Sequence, residues 1–423
     1  MMKDPMVSTE TTLSFYDQPQ VKTEVIPVGA GVPMGVQRVS HPQIGIGGAY
    51  GTWGPSYDNL ALARFMKERF GEAFTEADSM DLSQLGFVNR HHAPELSRED
   101  HIELEVQVGA RFLREAMAAN GWQPEEVEGL LIGMTLPVVD DYTERIARAA
   151  GIPESAIKVS IHKACDGSMG ALHLLLNPEL PVHQQMKRNL AQELAGKKVL
   201  VGGIEGLSRY VRASYDKSAI QLFGNGAGII GVVPGQNIKF LVGETYEVFD
   251  EAGVLEVSMY YPHSRQRQEG QSMIEVSEAG VNHFRVAGLM HEPPDGAPVV
   301  MAGPMGMVKL FVRTGVQVVR QVYTRYQSLM EEMGTPREIT VAIVHHANLK
   351  INNLISKRLE DAGIKLPMPW VLSEFGNVSA ASNMIAFLRK LPSINPGDHI
   401  LFDGFGAGTY YDAFAVSMGE GSV

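Results

Sequence analysis

The 423-residue sequence predicts an α/β fold in which one unit is built twice, and three observations lead there. Short apolar runs such as VEGLLIGMT (127–135) and KVLVGGIEG (198–206) alternate with stretches whose apolar residues recur every three or four positions. That is the pattern of buried strands covered by helices. One order of events (strand, turn, helix, then a strand ending in glycines) occurs in both halves of the chain. The composition, 44% hydrophobic and 20% charged, is that of a chain able to bury a large core.

Taken in order, residues 1–43 alternate polar and Gly/Pro-rich stretches (IPVGAGVPMG) and read as an arm laid over the body. Residues 44–235 form the first half. Within it, HIELEVQVGARFLREAMAANG (101–121) is an amphipathic helix stopped at Gly121. IKVSI (157–161) is a strand, and a turn at Cys165 leads into GSMGALHLLL, a short and almost wholly apolar helix halted by Asn177 and Pro178. Residues 236–423 form the second half. A polar stretch, YYPHSRQRQEGQS (260–272), and a loop, MHEPPDGAP (290–298), precede a long helix over 305–334 that ends at Gly334 and Pro336. ITVAIVHHAN (339–348) is a β-branched strand running into two histidines. WVLSEFGNVSAASNMIAFLRKL (370–391) reads as strand, turn at Asn377 and helix, and HILFDGFGAG (399–408) as a strand ending in glycines. The period is too long for a repeat array. The expectation is a duplicated unit whose turns at Cys165 and Asn377 meet between the halves.

Several classes are excluded by composition. A formal net charge of −12 argues against a nucleic-acid surface, which needs a basic face. One cysteine rules out an intrachain disulfide and suits a reducing compartment such as the cytoplasm. MMKDPMVSTETTLSFYDQPQ has no apolar core of a secretory signal, and no run of 18 apolar residues predicts a membrane span.

Four stretches carry chemistry. Cys165 heads a helix, where unpaired amides and the macrodipole favour a thiolate. His345 and His346 end a strand, the place where ligands meet the crevice of an α/β sheet. No cysteine or carboxylate stands beside them at ligand spacing, so a metal site is not expected. Asn377 follows a glycine and precedes a run of small residues that lets backbone and ligand approach closely. GFGAG (404–408) offers backbone N–H groups to a developing oxyanion.

Together KACDGSMGAL, VHHANLKI, FGNVSAAS and DHILFDGFGAG resemble, in that order and at similar separations, the β-ketoacyl-acyl carrier protein synthase III family of the thiolase superfamily. FGNGAG (223–228), LGFVNRHHAPE (85–95) and the VKLFV helix match more weakly, and the resemblance spans roughly residues 44–420. It implies a thiolase fold of five layers, αβαβα, in a homodimer. It also implies acyl transfer from coenzyme A or an acyl carrier protein to Cys165, with no cofactor beyond those thioesters. His345 takes the family histidine's place, because His346 stands before Ala347-Asn348. His345 and Asn377 would stabilise a thioester enolate, and the backbone N–H of Cys165 with one from Gly406-Ala407 would hold the oxyanion. Lys350 and Asn348 are expected to contact substrate.

The chain departs from the family at several positions. Asp166 follows the cysteine where a small apolar residue is usual, and capping of the helix is its expected role. Asn225 stands where aspartate is common, and Gln84 where a base contacts coenzyme A phosphates. These differences and the size point to a specialised relative. Claisen condensation with a malonyl or second acyl thioester leads. Transfer of the acyl group to an oxygen or nitrogen nucleophile, hydroxymethylglutaryl-CoA synthase-like aldol chemistry, and a non-catalytic scaffold are the alternatives. Asp140, Asp141, Glu144 and Glu205 are candidate bases for α-proton removal.

Overall fold

The computed structural model describes residues 22–26, 28, 31–135, 139–211, 216–247, 272, 274–288, 304–407 and 410–419, with only the backbone of 210 and 304–310. The first 21 residues and the stretches expected at 260–272 and 290–298 fall outside these, apart from Ser272. In chain order the strands are β1 (Lys22–Ile26), β2 (Val32–His41), β3 (Ile46–Trp53), β4 (Ser56–Asp58), β5 (Asn89–His91), β6 (Gly129–Met134), β7 (Ile157–His162) and β8 (Val199–Glu205). They continue with β9 (Gly226–Val232), β10 (Ile238–Glu247), β11 (Glu275–Gly280), β12 (His283–Ala287), β13 (Ile339–Val344), β14 (His399–Gly406) and β15 (Tyr410–Met418). The helices are α1 (Asn59–Phe70), α2 (Arg98–Asn120), α3 (Tyr142–Ala150), α4 (Gly167–Leu176), α5 (Val182–Met186) and α6 (Leu190–Glu193). Then follow α7 (Ser208–Val211), α8 (Lys217–Leu222), α9 (Pro304–Glu332), α10 (Leu349–Asp361) and α11 (Ser382–Lys390).

Nine strands form one sheet in the order β1-β2-β3-β9-β8-β6-β7-β12-β11, and four form a second in the order β10-β15-β14-β13. Side chains alternate across each strand, so neighbours serve different layers. Leu130 and Ile132 of β6 face a cluster built with α2 and α3, while Leu131 faces α4 and α11. In the second sheet, Ile400 and Phe402 of β14 join that same central cluster, and Leu401 and Phe405 turn to α9 and α10. The layers are therefore α2/α3, the large sheet, α4/α11, the small sheet, and α9/α10. The five-layered αβαβα expectation holds. Helix α4, covered by sheet on both sides, is buried at every residue, which accounts for its lack of a polar face.

Three expectations change. The arm over 1–43 is not separate throughout: from Lys22, β1 and β2 are the antiparallel edge of the large sheet. The second half lends a hairpin to the first sheet, with β12 lying parallel to β7 (His283 opposite Lys158). No strand forms at 370–374. The N–H of Val371 goes instead to Nε2 of His346 at 3.2 Å, and Trp370 Nε1 donates to Gly86 O at 2.9 Å. A backbone group occupied by a side chain is not available to a ladder.

Candidate active site

Two strained turns meet at the centre of the molecule. After β7, Ala164 takes φ 52°, a left-handed conformation that costs a non-glycine residue about 1–2 kcal/mol. It opens a 3₁₀ turn over Ala164–Asp166 that runs into α4 and sets Cys165 at the helix head. The matching turn in the second half opens at Ser379, φ 44°, and passes through Ser379–Ala381 into α11. Such strain persists only where the surroundings over-determine it. Here they do: a Cβ on Gly167 would stand 2.9 Å from Ala380 Cβ, so the turns touch through a glycine. The end of β14 closes the third side. A Cβ on Gly406 would stand 2.6 Å from Lys163 O and 3.0 Å from Cys165 N, and the N–H of Ala407 hydrogen-bonds the thiol sulfur.

Ser379 joins the rest. Its hydroxyl lies 3.0 Å from Cys165 Sγ and 2.5 Å from Thr135 Oγ1, and its N–H donates to Asn377 Oδ1 at 2.9 Å. Its carbonyl accepts from the Ser382 hydroxyl, whose oxygen lies 3.0 Å from His345 Nδ1. Because the Ser382 proton is committed to a carbonyl, His345 Nδ1 must carry the hydrogen of that contact, leaving Nε2 as an acceptor. Asn377 Nδ2 donates to Ala347 O at 3.2 Å, tying the Asn377 turn to the residue that follows the histidines. Gly376, at φ 72°, lets this turn pass over Arg90. The structure thus links Cys165 and Asn377 through Ser379, and His345 to them through Ser382. FGNVSAAS holds Ser379 and Ser382, yet neither was singled out from sequence; a small hydroxyl residue carries no signal of its partners.

The electrostatics contradict one expectation. Burial pushes the Cys165 thiol up to about 12; the Ser379 and Ala407 hydrogen bonds act the other way, while Glu205 and Asp166 add to the rise. The helix head therefore does not make Cys165 a resting thiolate. Burial, with a smaller push from His346, lowers His345 to about 3 and keeps it neutral. Glu205, at the end of β8, is raised to about 8 by burial, although it accepts from the Thr135 hydroxyl at 2.6 Å and the Ala380 N–H at 3.2 Å.

Asp166 makes no capping hydrogen bond, so the expected role is wrong. Its carboxyl is buried beside Lys163 Nζ at 3.0 Å. Lys163 also pairs with Asp412, which accepts from His173 Nδ1 at 2.7 Å. Burial and the adjacent Asp412 hold Asp166 far above the carboxylate range, whereas Lys163 and His173 hold Asp412 down against its own burial. The two carboxyls thus share one counter-ion with one proton between them, and Asp166 stays neutral beside Cys165.

The remaining candidates have other surroundings. His346 is a packing residue, with Nδ1 donating to Val344 O at 2.8 Å and its ring stacked on Trp370 at 4.7 Å. Asn348 caps α10, its side chain accepting from Ile351 N at 3.0 Å. Lys350 reaches Gln84 Oε1 at 2.9 Å on the surface, so the two positions expected near coenzyme A are adjacent. Asp140 pairs with Arg285 and Glu144 with Arg148, while Asp141 precedes α3; within the chain none of these contacts leads to Cys165. Asn225 is fully buried, accepting from Ser208 N and Oγ and donating to Trp53 O at 3.2 Å. Among the described residues no group of three or more His, Cys, Asp or Glu could hold a metal ion, and no helix is long and apolar enough to cross a membrane.

Five layers with a cysteine turn facing a serine–asparagine turn are the architecture of the thiolase fold. Residues 329–418 match the C-terminal domain of 3-oxoacyl-[acyl-carrier-protein] synthase III. Over 357 residues the sequence is 24% identical to β-ketoacyl-[acyl-carrier-protein] synthase III 2 of Lactiplantibacillus plantarum, covering 82% of this chain and 93% of that protein. The structure of 3-oxoacyl-[acyl-carrier-protein] synthase III from Aquifex aeolicus superposes with a TM-score of 0.53 at 20% identity, over 94% of this chain and all of that one. The priming β-ketosynthase of the R1128 polyketide pathway gives 0.54 at 19%, over 96% and 99%. The chain is thus similar along most of its length to β-ketoacyl-acyl carrier protein synthase III enzymes, and residues 329–418 carry that family's C-terminal domain.

Proposed function

We propose that the protein transfers an acyl group from a coenzyme A or carrier-protein thioester to Cys165 and then condenses it with a second thioester to give a β-ketoacyl product. The observation that carries this reading is the position of Ser379, whose atoms reach the cysteine, the asparagine turn and, through Ser382, the histidine. In acylation the sulfur attacks the thioester carbonyl, and the N–H groups of Cys165 and Ala407 receive the developing oxyanion. In condensation Asn377 is a donor for the enolate. His345, protonated at Nδ1, accepts at Nε2, which suits removal of an α-proton; once protonated there, it too donates to the enolate. These residues use no cofactor beyond the thioester substrates. A homodimer in the cytoplasm, as in the sequence expectation, completes the reading.

Intact mass measurement after incubation with a panel of acyl thioesters tests it. The wild-type chain should gain the mass of one acyl group and Cys165→Ala none. Addition of malonyl-CoA or a second acyl-CoA should discharge the adduct into a carbon–carbon product, with carbon dioxide released only in the malonyl case. Discharge solely to an alcohol or amine would overturn the condensation.

A further inference from the structure

We infer that Glu205 is the terminal acceptor of the Cys165 thiol proton, reached through the hydroxyls of Ser379 and Thr135; this rests on Cys165 being the nucleophile proposed above. The contacts run without a gap: Cys165 Sγ to Ser379 Oγ at 3.0 Å, Ser379 Oγ to Thr135 Oγ1 at 2.5 Å, and Thr135 Oγ1 to Glu205 Oε1 at 2.6 Å. Thr135 is 7% exposed, Glu205 3% and Ser379 not at all, so water does not substitute for a member of the chain.

Counting protons fixes what this chain can do. Three links need three hydrogens, and the two hydroxyls supply two. The third belongs to the thiol or to the carboxyl. With Cys165 as thiol, each hydroxyl donates toward an ionised Glu205. With Cys165 as thiolate, each donates toward sulfur and Glu205 is protonated. Both arrangements satisfy every link, and they differ only by one proton moved from end to end. A half-buried thiol raised to about 12 needs such an outlet, and a carboxyl raised to about 8 can take the proton and return it.

The step balances. As sulfur forms its bond to the acyl carbonyl carbon, the thiol proton passes to Ser379, that of Ser379 to Thr135, and that of Thr135 to Glu205. The departing thiolate leaves with the electrons of the broken C–S bond and takes a proton from solvent water. When condensation expels the Cys165 sulfur, the proton on Glu205 returns by the same path. Other ionisable groups border both ends. Glu105 of α2 faces Glu205 and is itself held by Arg209 of α7 and by Tyr142 of α3. Asp166, backed by Lys163 and by Asp412 of β15, borders Cys165.

Cys165 is the only cysteine in the sequence, so alkylation by iodoacetamide, followed by intact mass against pH, reports on it alone. The wild-type rate should rise in two steps, the first with ionisation of Glu205 near pH 8. Glu205→Gln, Ser379→Ala and Thr135→Val should each lose that first step, with alkylation at neutral pH falling about tenfold or more, whereas Thr135→Ser should keep it. Should Glu205→Gln fail to fold, Thr135→Val against Thr135→Ser makes the same comparison. A Glu205→Gln or Thr135→Val profile that superposes on the wild type overturns the relay. No acyl substrate enters this assay, so absence of acylation in the wild type would instead strike the proposed function.

Discussion

Asn225 illustrates what a single buried side chain can decide. Its oxygen accepts two hydrogen bonds from Ser208 and its amide donates to the carbonyl of Trp53. A carboxylate there would keep the two acceptor contacts but turn an acceptor toward the carbonyl. Asn225→Asp should destabilise the fold by about 1–3 kcal/mol, read as a lower midpoint in urea. His345 makes the complementary case for chemistry. Its neutral ring is oriented by Ser382, and His345→Ala should leave the acyl adduct of Cys165 intact in mass measurement while slowing condensation by about 10²–10⁴-fold. At this scale the sequence had named the cysteine, the histidine and the asparagine, because rare residue types in motif order stand out. It had not named Ser379, Ser382 or Thr135, whose importance lies entirely in what they touch.

At the scale of elements, two glycines govern the turns that meet at the site. Gly376 holds a left-handed φ of 72°, and a Cβ there would lie 3.0 Å from Arg90 Cβ. Gly376→Ala should cost about 1–2 kcal/mol in denaturant unfolding. Gly406→Ala crowds the backbone of Lys163 and Cys165 and should cost about 1–3 kcal/mol, with acyl adduct formation falling more than stability does. Helix α4 was legible in the sequence because a short helix that is apolar on every face must be buried. The segment 370–374 was not. Its β-like pattern is overruled by His346 and Arg389, which take the N–H and the carbonyl of Val371 that a strand would need.

Across the whole molecule, buried ionisable groups tie stability to pH. Glu205 is raised to about 8 by burial. A carboxyl with a raised folded pKa contributes fully below its unfolded value, and that contribution is lost as pH rises through the folded one. The melting temperature of Glu205→Gln relative to wild type should therefore climb from about pH 4.5 to about pH 8 and level off above it. His91 and His345 are lowered to about 3 and His346 to about 4, chiefly by burial. Their depressed values act in the other sense: the stability they contribute is present above the unfolded pKa near 6.5 and lost as pH falls toward the folded values.

By itself the sequence determined the α/β class, its duplication and the order of the Cys165, His345 and Asn377 motifs. Periodicity and rare residue types are properties of the chain that survive without a fold. Only the tertiary structure decided that Asp166 is a neutral partner in a buried charge cluster, that Asn348 caps a helix, and that Glu205 is connected to the thiol. Each of those roles depends on burial and on neighbours distant in sequence: Asp412 lies 249 positions from Lys163, which pairs with it and with Asp166, and Ser379 lies 214 positions from Cys165. Proton affinity follows that environment, and no motif writes the environment down.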